Sequence, residues 1–405
     1  MKARQSSARF LFLLLTWLVS FNAAADVAQD IEFPNDPSAR ITLPKGFHLH
    51  VFAKLSASPG DDRHGVRMMA FGPDGNLYVS VASSNEVLML RDKDEDGVVD
   101  EVVKVAEGLN APNGLAFVNG KLLVAEQDGI VVLKQDNGHW PAKEKTALVS
   151  GLAIGHHTLK TVKLGPDGYL YINVGSSCNV CVEGDPTRAT LLRFTQEGMP
   201  AGAIPTVGRH AGNPIWATGL RNTQGFAWHP KTNEMFATND GSDMRSDKKG
   251  GAVNEEVPPE NLNKIEPGNH YGWPYCWGNQ FADPNFVGPD GFCATTSPPE
   301  VMFDSHSTPI GMTFLNAANV PSDYKDDAIV ALHGSWNRKN PSGYKIVRVK
   351  FKDNKPVEVV DFATGWLQGH AAWGRPVDVA VGPDGDVYVS DDRSGVIYAI
   401  HYDGK

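Results

Sequence analysis

The chain has 405 residues, of which 41% are hydrophobic and 21% charged, a balance that excludes a disordered chain and allows a substantial core. Its 41 glycines and 27 prolines favour many turns over long helices. With 37 basic against 47 acidic side chains the net charge is −10, which argues against nucleic acid or an anionic membrane as partner and leaves a small neutral or polar ligand.

Lys2, Arg4 and Arg9 precede an apolar run from Phe10 to Phe21, and Ala23, Ala24 and Ala25 stand before Asp26. This is the layout of a secretory signal peptide over residues 1–25. The run is shorter than the about 20 residues that a membrane-spanning helix needs, and no later stretch qualifies. Residues 26–405 are therefore expected to form one soluble exported domain, with the bacterial periplasm as its address and no stable membrane insertion.

An internal repeat predicts the architecture. Phe71-Gly-Pro-Asp-Gly-Asn-Leu-Tyr-Val-Ser80 recurs at 164–173 and at 381–390, each time as a strand, a tight turn and an alternating strand. Degenerate copies lie at 117–124, at 228–237 and from Phe314 through Asp327 to Leu332. A third alternating strand follows each copy, at 86–90, 130–133, 190–194, 262–265, 345–349 and 396–400. Six such units give an all-β fold, a six-bladed β-propeller. Spread over 26–405 they take roughly 63 residues each, more than the roughly 40–50 of a plain blade, so loops are inserted, the longest at 175–190, 240–260 and 275–300. A sheet of this size cannot bury both faces alone, whereas six around an axis can. A β-sandwich is the alternative, but it needs no such repeat.

Between the first two units lies Asp92-Lys-Asp-Glu-Asp-Gly97, followed by Asp100 and Glu101. Oxygen ligands at alternate positions with glycine sixth suit calcium, so Asp92, Asp94, Asp96 and Asp100 are candidate ligands, although position twelve is Val103 rather than glutamate. The competing reading is a solvated acidic turn. Further along, Cys178 and Cys181, then Cys276 and Cys293, predict two local disulfides. No histidine follows Cys181 as haem attachment requires, and the second pair is no CxxC, which disfavours zinc.

In a propeller the first strand of each blade lines the axis, so residues just before it crowd one mouth. Counting back from the turns places Arg67, Asn113, His157, Arg221, Asn222, Gln224 and Arg375 there, with His306 before the corresponding strand of the fifth unit. Cations, imidazoles and amides converging from separate blades are what a pocket for an anionic ligand needs. The plainer reading is that the arginines bridge blades through aspartates.

The segments from Gly155-His-His157 through Asp167, Gly219-Leu-Arg-Asn-Thr-Gln-Gly225, Asn269-His-Tyr-Gly-Trp-Pro274, His333-Gly-Ser-Trp-Asn-Arg338 and Gly374-Arg-Pro-Val-Asp378 resemble the soluble PQQ-dependent sugar dehydrogenases, and within them the sorbosone dehydrogenase family. The resemblance runs from about Leu43 to His401 and implies a propeller with PQQ and calcium (Ca2+) at one mouth. By position it makes His157 the catalytic base, with His156 its rival, and sets Arg221 and Asn222 beside the reactive carbonyl, accompanied by Gln224. Arg375 matches an arginine facing the cofactor carboxylates, and Arg338 or Lys339 a basic partner under the quinone. The stretch at Asp240 and Gly241 resembles one whose backbone carbonyls hold calcium. Two departures stand out. Pro259-Glu260 replaces Asp-Glu after that stretch, and the Cys178/Cys181 loop replaces a glutamine-bearing segment.

The chemistry is consistent with the residues themselves. Oxidising a lactol requires a base for the hydroxyl proton, and an imidazole with an ordinary pKa of about 6.5 can serve. A fixed guanidinium such as Arg221, with calcium, stabilises negative charge on the acceptor, and three cofactor carboxylates account for basic residues in an acidic protein. The expected activity is oxidation of an aldose or sugar aldehyde, with electrons passed to an unidentified acceptor. A calcium-dependent lactonase on the same fold would need carboxylates and asparagines at the axis, and a non-catalytic propeller binding peptide or glycan is the third possibility. Trp336, Trp366, Trp373, Tyr271 and Trp273 are candidates to line a sugar pocket, against the commoner role of packing between blades.

Overall fold

Each Gly-Pro-Asp-Gly repeat closes the hairpin between the first and second strands of a four-stranded antiparallel sheet. The computed structural model describes residues 29–55, 65–136, 138–204 and 212–405. The segment read as a signal peptide lies outside them. Six blades follow in chain order. Blade one comprises Val66–Phe71, Leu77–Val81, Glu86–Arg91 and Glu101–Ala106, and blade two Leu115–Val118, Lys121–Glu126, Gly129–Asp136 and His139–Ser150. Blade three comprises Val162–Leu164, Leu170–Val174, Thr190–Phe194 and Ile215–Thr218, and blade four Phe226–Trp228, Met235–Asn239, Glu260–Ile265 and Val301–Phe303. Blade five is Pro309–Phe314, Ala328–Leu332, Lys345–Lys352 and Lys355–Ala363.

Blade six draws its strands from both ends of the chain. Pro376–Val381, Val387–Asp391 and Val396–Tyr402 are completed by Phe47–Lys54, which pairs antiparallel with the last strand from Phe47 opposite Tyr402 to Lys54 opposite Val396. This closure leaves the ring no unpaired first or last blade.

The three full repeats build one side-chain device. The turn aspartate accepts a hydrogen bond from the tyrosine four residues on: Tyr78 to Asp74 at 2.9 Å, Tyr171 to Asp167 at 2.8 Å, Tyr388 to Asp384 at 2.7 Å. That tyrosine then meets an aromatic ring of the next blade, Phe117, Trp228 and Phe71 respectively, with centroids 4.8, 5.3 and 5.0 Å apart. The glycine before the proline is required because a Cβ at Gly72, Gly165 or Gly382 would run into this aspartate and tyrosine.

The core is divided accordingly. Apolar residues collect in six clusters, one at each interface between neighbouring blades, and in a seventh where Met68, Ile310 and Val377 meet on the axis. Fully burying one such side chain contributes about 1.5–3 kcal/mol, so the blades hold by contact with neighbours.

One position differs from expectation. The Asp92–Asp100 loop joins the third and fourth strands of blade one rather than bridging blades one and two, because the alternating stretch Glu101–Ala106 is a further strand of the same blade. The loop leans on blade six instead: His50 Nε2 lies 2.8 Å from the Gly97 carbonyl, and the Val99 N–H donates to Phe52 at 2.9 Å.

Candidate active site

The first strand of a blade leaves the mouth and the second returns to it. The mouth is therefore built from residues before first strands and residues after second strands, and the two sets meet in pairs. His157 precedes the first strand of blade three, and Ser176 follows its second: His157 Nδ1 lies 2.8 Å from Ser176 Oγ and 3.1 Å from its carbonyl. Burial, then the Arg221 charge and His156, push the His157 pKa down to about 3, so the imidazole is neutral at physiological pH. Gly175 is required behind it, since a Cβ there would collide with His157.

Arg221 is 1% exposed and held on every side. Its Nη2 donates to Asp243 at 2.8 Å and to Asn179 Oδ1 at 3.1 Å, its Nε to the Asn179 carbonyl at 3.2 Å, and its Nη1 to Asp240 at 3.4 Å. Asn222 donates to the same Asp240 carboxylate at 3.3 Å. Burial raises Asp240 to about 6 and raises the adjacent Glu260 well above the usual carboxylate range; Glu260 accepts from the Gly241 N–H. His306 Nδ1 sits 3.7 Å from Asp243 Oδ1, which also accepts from Asn337 at 2.8 Å. Burial lowers the His306 pKa, against the pull of Asp243.

A second group is centred on Asp392. This carboxylate, fully buried, takes Arg67 at 2.8 Å, Arg375 at 3.1 Å and His333 at 3.1 Å, and these three partners hold it well below its usual range against the cost of burial. Arg67 also donates to Asn113 at 3.1 Å and to Gln224 at 3.2 Å. Gln224 thus ties this group to the Arg221 side of the mouth.

A family model, TrAA12-like, matches residues 61–403. The chain belongs to this family. Of the proteins it resembles, the PQQ-dependent pyranose dehydrogenase of Coprinopsis cinerea is 24% identical over 359 residues, covering 76% of this chain and 48% of that protein. The chain thus spans about half the length of that relative. The aldose sugar dehydrogenase YliI of Escherichia coli is 25% identical over 248 residues, covering 60% of this chain and 59% of YliI. Among solved structures, the holo PQQ domain of the Coprinopsis cinerea enzyme aligns with a TM-score of 0.74 at 21% identity, covering 91% of this chain and 99% of that one. A Trichoderma reesei family AA12 structure aligns with a TM-score of 0.76 at 17% identity, covering 92% and 100%.

Within this TrAA12-like propeller, His157, Arg221, Asn222, Gln224, His306 and Arg375 all reach the one mouth. The arginines are less open than the sequence implies. Arg67, Arg221 and Arg375 are each matched by aspartates: Arg67 of blade one bridges to Asp392 of blade six, as the alternative reading has it, whereas Arg221 and Arg375 pair with aspartates that follow the second strand of their own blades. Arg338 is 7% exposed and donates to Ser305 at 3.1 Å, Asn340 at 3.0 Å and Glu256 at 2.6 Å; it flanks His306 and borders a cavity of about 430 Å³ with Asp304, Tyr344 and Thr364. The Lys339 N–H donates to Glu255 at 2.9 Å. Of the aromatic candidates, Tyr271, Trp273, Trp366 and Trp373 are buried, and Trp336 is 50% exposed.

Both expected disulfides are formed, Cys178–Cys181 and Cys276–Cys293. The first frames the residue that sequence reasoning missed. Asn179 binds Arg221 twice, exchanges two hydrogen bonds of 2.8 Å with Asp243, and accepts from Trp273 Nε1 at 3.0 Å. Asp243, His333, Asn337 and Asp392 were also missed. For His333 and Asp392 the signal is position: each directly follows a second strand, at the returning end where Ser176 lies in blade three.

At Asp92, carboxylates of Asp92, Asp94 and Asp100 lie within 4.8 Å of one another, and Asp92 Oδ1 is buried without a hydrogen-bond partner among the described residues. The neighbouring charges, Asp96 first and then Asp100, raise Asp94. Among the described residues no helix is long and apolar enough to cross a membrane.

Proposed function

We propose that the chain is an exported quinoprotein that oxidises an aldose or a sorbosone-like sugar aldehyde at the axial mouth, with PQQ as electron acceptor and His157 as general base. The observation that carries this reading is the neutral, oriented imidazole of His157 beside a fully braced guanidinium, in a family whose relatives carry PQQ-dependent sugar dehydrogenase names. The donor set fits the cofactor. Guanidinium and amide groups of Arg221, Arg375, Asn222 and Gln224 suit a planar polycarboxylate, with His306 and Arg338 near them and Lys339 proposed as a further basic partner, and Asn337 Oδ1, a buried acceptor without a partner among the described residues, suits the cofactor's ring N–H.

When bound, PQQ would supply a two-electron acceptor for the C1 hydride of the sugar. His157 Nε2 accepts the hydroxyl proton in the same step, so an aldose leaves as its lactone. Arg221 presents its guanidinium in a fixed plane at the mouth, because Asp243, Asp240 and Asn179 brace it. Calcium belongs to the same proposal, at the backbone around Gly241 and, as a structural ion, at the loop of Asp92, Asp94, Asp96 and Asp100. The mouth also holds carboxylates and asparagines of the kind a lactonase needs, but its aspartates are engaged by Arg67, Arg221 and Arg375 and the named relatives are sugar dehydrogenases, so the lactonase alternative is weaker. Titrating the purified protein with PQQ in calcium and following quinone absorbance tests the reading: saturable binding that weakens about tenfold to hundredfold in Arg375→Ala supports it, and absence of binding contradicts it.

A further inference from the structure

At the opposite end of the propeller, among the hairpin turns, a cleft of about 400 Å³ opens between blades three and four. Its walls include Tyr171, Trp216 and Trp228, and its rim Asn233, Glu234 and Lys264. We infer that this cleft is a second, non-catalytic carbohydrate site that takes a pyranose of a neutral, all-equatorial oligosaccharide of the β-1,4-glucan kind.

The two indoles come from different blades, Trp216 from the outer strand of blade three and Trp228 from the inner strand of blade four. Both meet Tyr171 edge to face, with centroids 5.6 and 5.3 Å apart. The Arg193 guanidinium lies 3.9 Å from the centre of the Trp216 ring and 4.3 Å from that of Tyr169. Neither Arg193 nor Tyr169 lines the cleft. Arg193 also pairs with Asp167 of the lining at 3.3 Å, so this contact fixes the Trp216 indole at the edge of the cleft.

The sister interface between blades six and one shows that filling the space does not require tryptophan. There Tyr388 meets Phe52 of the outer strand at 5.1 Å and Phe71 of the next inner strand at 5.0 Å. Phe52 and Tyr388 are only 3% and 4% exposed. The same three places between blades three and four hold Trp216, Tyr171 and Trp228, and both indoles stay partly exposed. Each indole adds a broad apolar face and one N–H donor.

The lining selects the ligand. An all-equatorial pyranose offers flat C–H faces to indoles and a rim of hydroxyls to amides, carboxylates and ammonium groups. Lys264 bridges Glu234 and Glu266 at 3.2 Å each, and Asp167 pairs with Arg193 at 3.3 Å, so three carboxylates meet two cations and the remaining negative charge disfavours an anionic glycan. The volume falls within the about 300–1,000 Å³ of small-molecule sites.

Calorimetric titration of the full chain with cellohexaose, and with hexagalacturonate as an anionic counterpart of equal length, tests the inference. Cellohexaose should bind, Trp216→Phe and Trp228→Phe should each weaken it about tenfold, and hexagalacturonate should give no heat. Phenylalanine already fills the sister positions, so both variants should fold. In PQQ-loaded protein both should reduce dye with glucose at the parent rate, which separates the cleft from the axial mouth whether or not that mouth oxidises sugars. No heat with cellohexaose in the parent, parent-like affinity in both variants, or preference for hexagalacturonate would overturn the assignment.

Discussion

Ser176 Oγ lies 2.8 Å from His157 Nδ1 and donates its own proton to the Cys178 carbonyl at 2.7 Å. With that proton spent, the Ser176 oxygens can only accept from Nδ1, and the hydrogen-bond network assigns the imidazole proton to Nδ1. Nε2 is left with its lone pair, the state a general base needs. His157→Gln should therefore bind PQQ but slow its reduction by sugar about a hundredfold to ten-thousandfold. Stopped-flow absorbance reads that step alone. The same change at His156, whose ring packs edge to face on His157 at 4.7 Å, should cost much less; the reverse order would move the base to His156.

The burial of neutral His157 also carries a pH signature. Its folded pKa of about 3 lies below the ordinary value near 6.5, so the unfolded chain takes up a proton that the folded one does not. The associated stability is complete above pH 6.5 and is lost progressively as pH falls toward 3. Between pH 7 and pH 5 this one group accounts for about 2 kcal/mol. Urea denaturation of the parent and of His157→Gln at both pH values should show the variant losing less by about that amount. Equal losses would mean His157 titrates normally.

Asn179 is a positioning residue. Asn179→Ala removes a side-chain oxygen that accepts from Arg221 Nη2 and the Asp243 N–H. Hydrogen bonds to charged groups contribute about 1.5–3 kcal/mol, so quinone reduction should slow by up to about tenfold to hundredfold, and the thermal midpoint should fall as well because buried Arg221 loses an acceptor. Replacing Cys178 and Cys181 together by serine should act in the same direction. Parent-like rates in both variants would remove the loop from the mechanism.

Asp392 balances three partners in the interior, and Asp392→Asn should destabilise the fold by about 3–5 kcal/mol, because Arg67 and Arg375 are left short of countercharge. Chemical denaturation checks this. Stability equal to the parent's would show that the axial arginines need no carboxylate.

The propeller was legible because the Gly-Pro-Asp-Gly turn is a local chemical requirement: Gly72, Gly165 and Gly382 have no room for a Cβ, so the sequence must repeat them. The closing strand Phe47–Lys54 was not legible, since its partner Val396–Tyr402 lies at the other end of the chain and no turn connects them. First-strand positions such as His157 and Arg221 emerged by counting back from the turns. Their partners did not, because Asn179 and Asp243 sit on inserted loops whose path depends on tertiary contacts and a disulfide. Aspartate partners for the arginines were foreseen in kind, but which aspartate was hidden for the same reason: Arg67 meets Asp392 across the closure of the ring.

The most direct test of sugar oxidation at the axial mouth is an anaerobic single turnover of PQQ-loaded protein mixed with excess glucose or another aldose, followed by absorbance. The proposal predicts stoichiometric loss of the oxidised quinone spectrum, with one lactone formed per site and a rate that collapses in His157→Gln. A parent protein that binds PQQ and leaves it oxidised with every aldose and sugar aldehyde offered would contradict it.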